Sequence, residues 1–233
     1  RSVEEAVAKL SKLADVEYAE PNRIVYALGG INTKMEQSIA YNGVAKATGG
    51  GNVSYDDPIY SKQWGIQSIQ MPLLWQEPFI TQKRPIIAIL DTGVDIEHPD
   101  LKENIWTNTK EADGVDDYDD DGNGFNDDLH GWDFVNQTGR IGDWNGHGTH
   151  CAGIAAAVGG NGIGIVGANP EALIMPVTVM QSDGTGDVAT IIMGIDYAVA
   201  NGADVISMSF GSYGESIAEE QALGRAYQKA SAV

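Results

Sequence analysis

The chain has 233 residues, enough to bury the core of one α/β-sized domain. Its 33 acidic residues against 14 basic ones give a net charge of −19; this argues against nucleic acid and anionic membranes as partners and favours divalent cations. No apolar run approaches the roughly 18–20 residues that span a bilayer, and the single cysteine excludes an intrachain disulfide.

Three zones follow one another along the chain. Residues 1–28 pair a helical pattern (Val3, Ala6, Leu10, Leu13) with a strand-like stretch from Val16 to Leu28. This unit has too little apolar surface to fold alone. Arg1 stands where a methionine would begin a chain, so the start of translation is expected upstream or removed. Residues 29–55 hold Gly29-Gly30 and Gly49-Gly50-Gly51 among polar residues, which is the composition of a cleavable linker. Residues 56–233 are globular in pattern. Apolar runs at Ile86–Leu90, Leu173–Val179 and Val205–Phe210 predict buried strands. Helices are predicted over Gly148–Val158 and Val188–Ala200, the second closed by Asn201-Gly202. Strands alternating with helices predict an α/β fold: a doubly wound, mainly parallel sheet with helices on both faces. Functional groups in such sheets gather beyond the carboxyl ends of the strands, where Asp91 follows Leu90.

Two motifs carry chemistry. Asp91-Thr92-Gly93 by itself fits a turn residue or an aspartic protease. The latter needs two such carboxylates on an all-β frame, and one Asp-Thr-Gly is present. His147-Gly148-Thr149-His150 runs into Cys151-Ala152-Gly153. Its histidines could cap a helix, sit in a core or bind a metal, although no glutamate lies between them and no third ligand is evident. Cys151 reads as a small buried hydrophobe rather than a reactive thiol. A third segment, Asp116 to Asp128, contains no cation at all. Two overlapping frames in it match the start of an EF-hand-like calcium loop. One runs from Asp117 to Asp128 and offers Asp119, Asp121 and Asn123 between; the other begins at Asp119 and ends on His130. A disordered acidic loop is the alternative.

Taken with His98-Pro99-Asp100-Leu101 downstream of Asp91, these motifs resemble the subtilisin-like serine proteases, or subtilases, and within them the thermitase-like branch, which also places a cysteine after His-Gly-Thr-His. The resemblance implies a serine endopeptidase acting on extended polypeptides through an acyl-enzyme. It makes Asp91 the orienting carboxylate and His147 the general base, and gives His150 a structural role. It makes residues 1–28 the end of an inhibitory propeptide, residues 29–55 the maturation region, and residues 56–233 the N-terminal part of the catalytic domain. It makes Gly184-Thr185-Gly186 and Ser209-Phe210-Gly211 the two edges that hold substrate; the alternative is a pair of glycine-bearing turns. It implies a second Ca2+ site from Asp57, Asp100 and Asn161 with carbonyls near Gly159, Ile163 and Ile165. A further family site before the histidine motif is matched only at Asp133, since Thr138 and Arg140 follow. It also implies secretion.

The family's Gly-Thr-Ser-Met-Ala nucleophile segment does not occur, and Ser207, Ser209 and Ser212 lie in no such motif. Ser231-Ala232-Val233 resembles the start of the strand that leads to the oxyanion asparagine. The chain alone is therefore expected to be inactive. A calcium-binding, non-catalytic module on the same scaffold is the competing expectation.

Overall fold

The computed structural model describes residues 2–28, 55–76 and 83–230. The linker (29–54) and the three terminal residues (231–233), about which the sequence carries expectations, lie outside them.

The elements in chain order are α1 (Val3–Leu10), β1 (Ile24–Ala27), the short helices α2 (Trp64–Ser68) and α3 (Met71–Leu74), β2 (Ile86–Asp91), α4 (Thr109–Ala112), β3 (Trp132–Asp133), α5 (His147–Ala156), β4 (Leu173–Thr178), β5 (Thr185–Asp187), α6 (Val188–Ala200), β6 (Val205–Met208), β7 (Phe210–Gly211) and α7 (Ile217–Ala230). A parallel sheet in the order β3-β4-β2-β6 forms the centre. Its inner strands β2 and β4 are covered on both faces, which is why β2 reads as an unbroken apolar run rather than an alternation. The stretch Val205–Phe210, expected as a buried strand, has no fully buried residue because β6 lies at the end of the sheet order. On one face Ile89 and Ile174 pack with Ala152 and Ala156 of α5. On the other, Ala88, Leu90, Met175 and Val177 pack with Ile191, Ile195 and Ala198 of α6, and with Ala222 of α7. Successive strand residues thus feed opposite faces, and the fold is the predicted doubly wound α/β type.

A second sheet is antiparallel and small. β1, from the N-terminal zone, lies between β5 and β7, pairing Val25 with Gly186 and Tyr26 with both Thr185 and Gly211. The predicted strand over Val205–Phe210 breaks at Ser209, and its two parts join different sheets. The strand-like stretch from Val16 to Leu28 contributes a strand only at Ile24–Ala27, where the edges of β5 and β7 offer partners.

The N-terminal zone also closes two helix starts. Glu20 accepts from Ile217 N (2.9 Å), Ala218 N (3.1 Å) and Ser216 Oγ (2.6 Å) at the head of α7. Asn22 bonds both Asp187, the N-cap of α6, and Ala189 N. First-turn N–H groups have no partner inside their own helix, so these contacts anchor the zone to the domain.

Candidate active site

Asp91 is the last residue of β2 and His147 the first of α5, so the fold brings a strand end and a helix start together. Close approach depends on glycine. A Cβ on Gly148 would lie 2.1 Å from the Gly93 carbonyl oxygen, and one on Gly93, at φ +114°, would lie 2.0 Å from the Gly142 oxygen. His147 Nδ1 donates to Asp91 Oδ1 at 2.6 Å, with the two residues 8% and 1% exposed. Thr92 N donates to the same carboxylate oxygen at 2.7 Å. The other ring nitrogen, Nε2, meets the carbonyl oxygen of Leu28 at 2.7 Å. Both partners are acceptors, so this geometry favours the ring with a proton on each nitrogen. Burial disfavours that charge, but the bonds to Asp91 and Leu28 and the charges of Asp91 and Asp143 outweigh it and raise the His147 pKa.

This geometry separates readings that the motif alone left open. Cys151 Sγ lies 3.9 Å from His147 Nδ1, on the nitrogen that Asp91 already occupies. Burial raises its thiol pKa, as do the charges of Asp91 and Asp143, so the sulfur stays protonated and is not a nucleophile in a Cys–His pair. His150 is exposed one turn along α5 and gives no support for the structural role expected of it.

The expected edges flank Leu28. Leu28 N donates to Ser209 O (2.9 Å) and Ala27 N to Gly184 O (2.9 Å), while Thr185, Gly186, Phe210 and Gly211 pair with β1. Gly184-Thr185-Gly186 and Ser209-Phe210-Gly211 therefore hold an extended peptide between them as an added strand. Val25 is 2% exposed and Leu28 is 61% exposed. The cleft thus grips the fourth residue before the carbonyl harder than the first. A Cβ on Gly186 would stand 3.2 Å from Val25 Cγ2, so that glycine sets the room Val25 has.

The acidic segment gathers carboxylates, but not in the register of an EF-hand frame. Carboxylate oxygens of Asp121, Asp128 and Glu111 all lie within 4.8 Å of one another. Asn123 Nδ2 donates to Asp128 Oδ2 (3.0 Å), and Asn108 bonds both Asp121 and Asp128. The carboxylate of Asp119 is taken up by N–H groups of Gly122, Asn123 and Gly124, and Asp117 N bonds Asp127. Asp117 and Asp119 thus stand outside the cluster, and Glu111, on α4, stands in it. Asp128 is fully buried, and its pKa is raised chiefly by that burial, against bonds from Tyr197, Asn123 and Asn108. No lysine or arginine pairs with the cluster among the described residues.

The Asp57–Asp100–Asn161 set does come together. Asp57 accepts from Gly160 N and Asn161 N, Asn161 Nδ2 donates to Asp100 Oδ1 (2.9 Å), and Ile165 N donates to Asp100 Oδ2. Both carboxylates are almost fully buried, and neither has an ion pair among the described residues. Two buried carboxylates with no cation beside them are ligands of the kind a hard divalent ion takes, whereas Asn161 offers Asp100 its Nδ2 and spends its Oδ1 on Ile163 N (2.8 Å). At the position matched only by Asp133, that residue spends its carboxylate on Val135 N, Asn136 N and Asn136 Nδ2. No helix among the described residues is long and apolar enough to cross a membrane.

Residues 82–233 match the model of the subtilase family, Peptidase_S8. Thermitase of Thermoactinomyces vulgaris is 38% identical over 179 residues, covering 76% of this chain and 55% of that protein. Subtilisin-like protease 1 of Plasmodium falciparum (isolate 3D7) is 35% identical over 163 residues, 69% of this chain and 23% of that one. The crystal structure of fervidolysin from Fervidobacterium pennivorans, a keratinolytic enzyme related to subtilisin, overlays with a TM-score of 0.58 at 27% identity, covering 78% of this chain and 25% of that chain. The chain thus spans about half the length of the first of these relatives and about a quarter of the other two.

Proposed function

The chain belongs to the subtilase family of serine peptidases, and from that membership we propose that it is the propeptide end and N-terminal catalytic part of a calcium-stabilised serine endopeptidase. The observation that carries the proposal is the Leu28 carbonyl oxygen 2.7 Å from His147 Nε2, at the end of a strand held on both edges. This contact supports the reading because it puts the chain's own peptide carbonyl against the proposed general base.

In this reading a serine hydroxyl from beyond the described residues attacks the carbonyl carbon. Neutral His147 takes the hydroxyl proton on Nε2, and Asp91 fixes the tautomer and stabilises the imidazolium. The imidazolium then protonates the leaving amine, and water hydrolyses the acyl-enzyme by the same route. Donors at the developing oxyanion, which supply much of the rate, also lie beyond the described residues. The 233-residue chain on its own therefore turns over no peptide.

Residues 2–28 act as an intramolecular inhibitor: β1 fills the cleft, and once the Leu28–Gly29 bond is cut Leu28 stays against His147 and keeps the general base protonated. The bond presented for maturation is Leu28–Gly29, at the head of the linker. Ca2+ is held by Asp57, Asp100 and Asn161, and by Asp121, Asp128 and Glu111 with Asn123 nearby; it supplies the positive charge those buried carboxylates lack. The protein acts outside the cell on extended polypeptides. A calcium-binding module without catalysis remains the rival, and one experiment separates the two. A full-length parent should hydrolyse a chromogenic peptide ending Val-Tyr-Ala-Leu, with loss of activity on phosphonate treatment and in His147→Ala. A correctly folded, calcium-loaded parent that leaves the peptide uncut supports the module.

A further inference from the structure

A second carboxylate stands beside the pair and is not used by the chemistry above. Asp143, in the loop before α5, gathers five hydrogen bonds. Its Oδ1 accepts from Thr92 Oγ1 (3.0 Å), Asn145 N (3.0 Å) and Gly146 N (2.9 Å); its Oδ2 accepts from Thr149 N (2.9 Å) and Thr149 Oγ1 (2.7 Å). No lysine or arginine pairs with it among the described residues. We propose that Asp143 is a positioning residue for catalysis, locking the strand end that carries Asp91 to the helix start that carries His147.

The helix start requires such a device. The N-cap of α5 is Gly146, at φ +92° and with no side chain to cap the helix. Its first three N–H groups are satisfied from elsewhere: His147 N by Asn145 Oδ1, Gly148 N by Thr92 Oγ1, and Thr149 N by Asp143. Thr92, next to Asp91, thus donates to Asp143 and accepts from α5. Thr149 Oγ1 extends the tie by accepting from Asp95 N (2.9 Å). Both catalytic side chains hang from this knot, so a shift of Asp143 moves them relative to each other.

Charge gives it a second effect. The positive end of a helix disfavours a cation at its first residue, yet His147 must carry a proton there in mid-reaction. Around its ring stand Asp91 from β2, Cys151 from α5 with a thiol held neutral, and Asp143 from the preceding loop. Asp183, in the turn before β5, is engaged with Thr185, and β7 presents no titratable group. Asp143 is therefore a second anion, beside Asp91, that offsets the helix end. Its own pKa is lowered: burial works against the charge, but the bonds from Gly146, Thr149 and Asn145 outweigh it, so it stays charged across the working range.

The inference rests on the peptidase reading, but the first of its two tests does not. Asp143→Asn retains the shape and removes the charge. In the 233-residue chain, NMR titration of the His147 ring should move to lower pH in this variant, and this readout needs no turnover. In the active parent the acidic limb of kcat/KM should move the same way, with kcat down by about tenfold to a hundredfold, as loss of alignment costs, and KM little changed. Thr149→Ala keeps the charge and removes two ties, to Asp143 and to Asp95 N. It should lower kcat while leaving the His147 titration in place, and it serves if Asp143→Asn does not fold. An unmoved titration in folded Asp143→Asn, or wild-type kcat in Thr149→Ala, would overturn the proposal. An inactive wild-type parent would instead overturn the peptidase reading.

Discussion

The carbonyl oxygen of Leu28 and the Nε2 of His147 are 2.7 Å apart although the residues lie 119 positions apart in sequence. On the proposed function, an imidazole with one nitrogen against a peptide carbonyl and the other bonded to a buried carboxylate is a proton-transfer site with its own chain in the way.

Grip at Val25 should dominate the hold of the N-terminal zone. Val25→Ala in a synthetic 2–28 peptide should weaken inhibition of the mature enzyme by about 1–3 kcal/mol, the scale of a buried valine side chain. Tyr26→Ala, at a half-exposed side chain, should change it by about 0.5 kcal/mol or less. Inhibition constants for the three peptides check the order. Equal losses would mean the strand is held by backbone bonds alone.

That hold should weaken at both ends of the pH scale. The His147 pKa is raised, in part by Leu28. This contribution is complete below the ordinary histidine value and is lost as pH rises through the raised one. Glu20 runs the other way. Burial works against its charge, but bonds from Ser216, Ile217 and Ala218 and the charge of Arg23 lower its pKa. Its contribution is present above the ordinary carboxylate value and is lost as pH falls through the lowered one. Inhibition by the 2–28 peptide measured across pH should peak between the two, and Glu20→Gln should flatten only the acid side.

Much of this was legible from residue order. β2, β4 and α6 appear because strands covered on both faces select unbroken apolar runs, and Asp91 and His147 appear because their motifs encode close packing. What escaped is what depends on partners distant in sequence. The break at Ser209 arises because β7 pairs with β1, which no local pattern announces. Glu111 joins Asp121 and Asp128 from a separate helix, so loop spacing pointed to Asp117 and Asp119 instead. Asp143 has no motif of its own, since its role comes from folding back onto Thr92 and Thr149. α7 was not foreseen because its surface is mostly polar, with Ala222 its fully buried side chain.

Histidines three positions apart should behave differently. In the parent, His147→Ala should abolish acylation, while His150→Ala, at an exposed position, should leave stability within about 0.5 kcal/mol and kcat nearly intact. Single-turnover kinetics with thermal unfolding distinguishes them, and matching kinetic losses would contradict the assignment.

Calcium should bind at both carboxylate sets. Because burial raises the Asp128 pKa, stability without metal should decline as pH rises through that raised value, the folded state binding the extra proton. Added Ca2+ should restore the loss and a chelator return it. Asp121→Ala with Asp128→Ala should lower the calorimetric stoichiometry without abolishing binding, the remainder depending on Asp100. Asp119→Ala should leave the stoichiometry unchanged. An unaltered ion count in the double variant would leave the acidic segment as a solvated loop.

The most direct test of the account is the N-terminus of the purified full-length protein, read by mass spectrometry. Wild type should begin at Gly29, with residues up to Leu28 released as a separate peptide, and His147→Ala should remain uncut. A wild-type protein that folds, binds calcium and keeps the Leu28–Gly29 bond, or a His147→Ala variant cut there as readily as wild type, would contradict the claim that this strand lies in the active site of a serine endopeptidase.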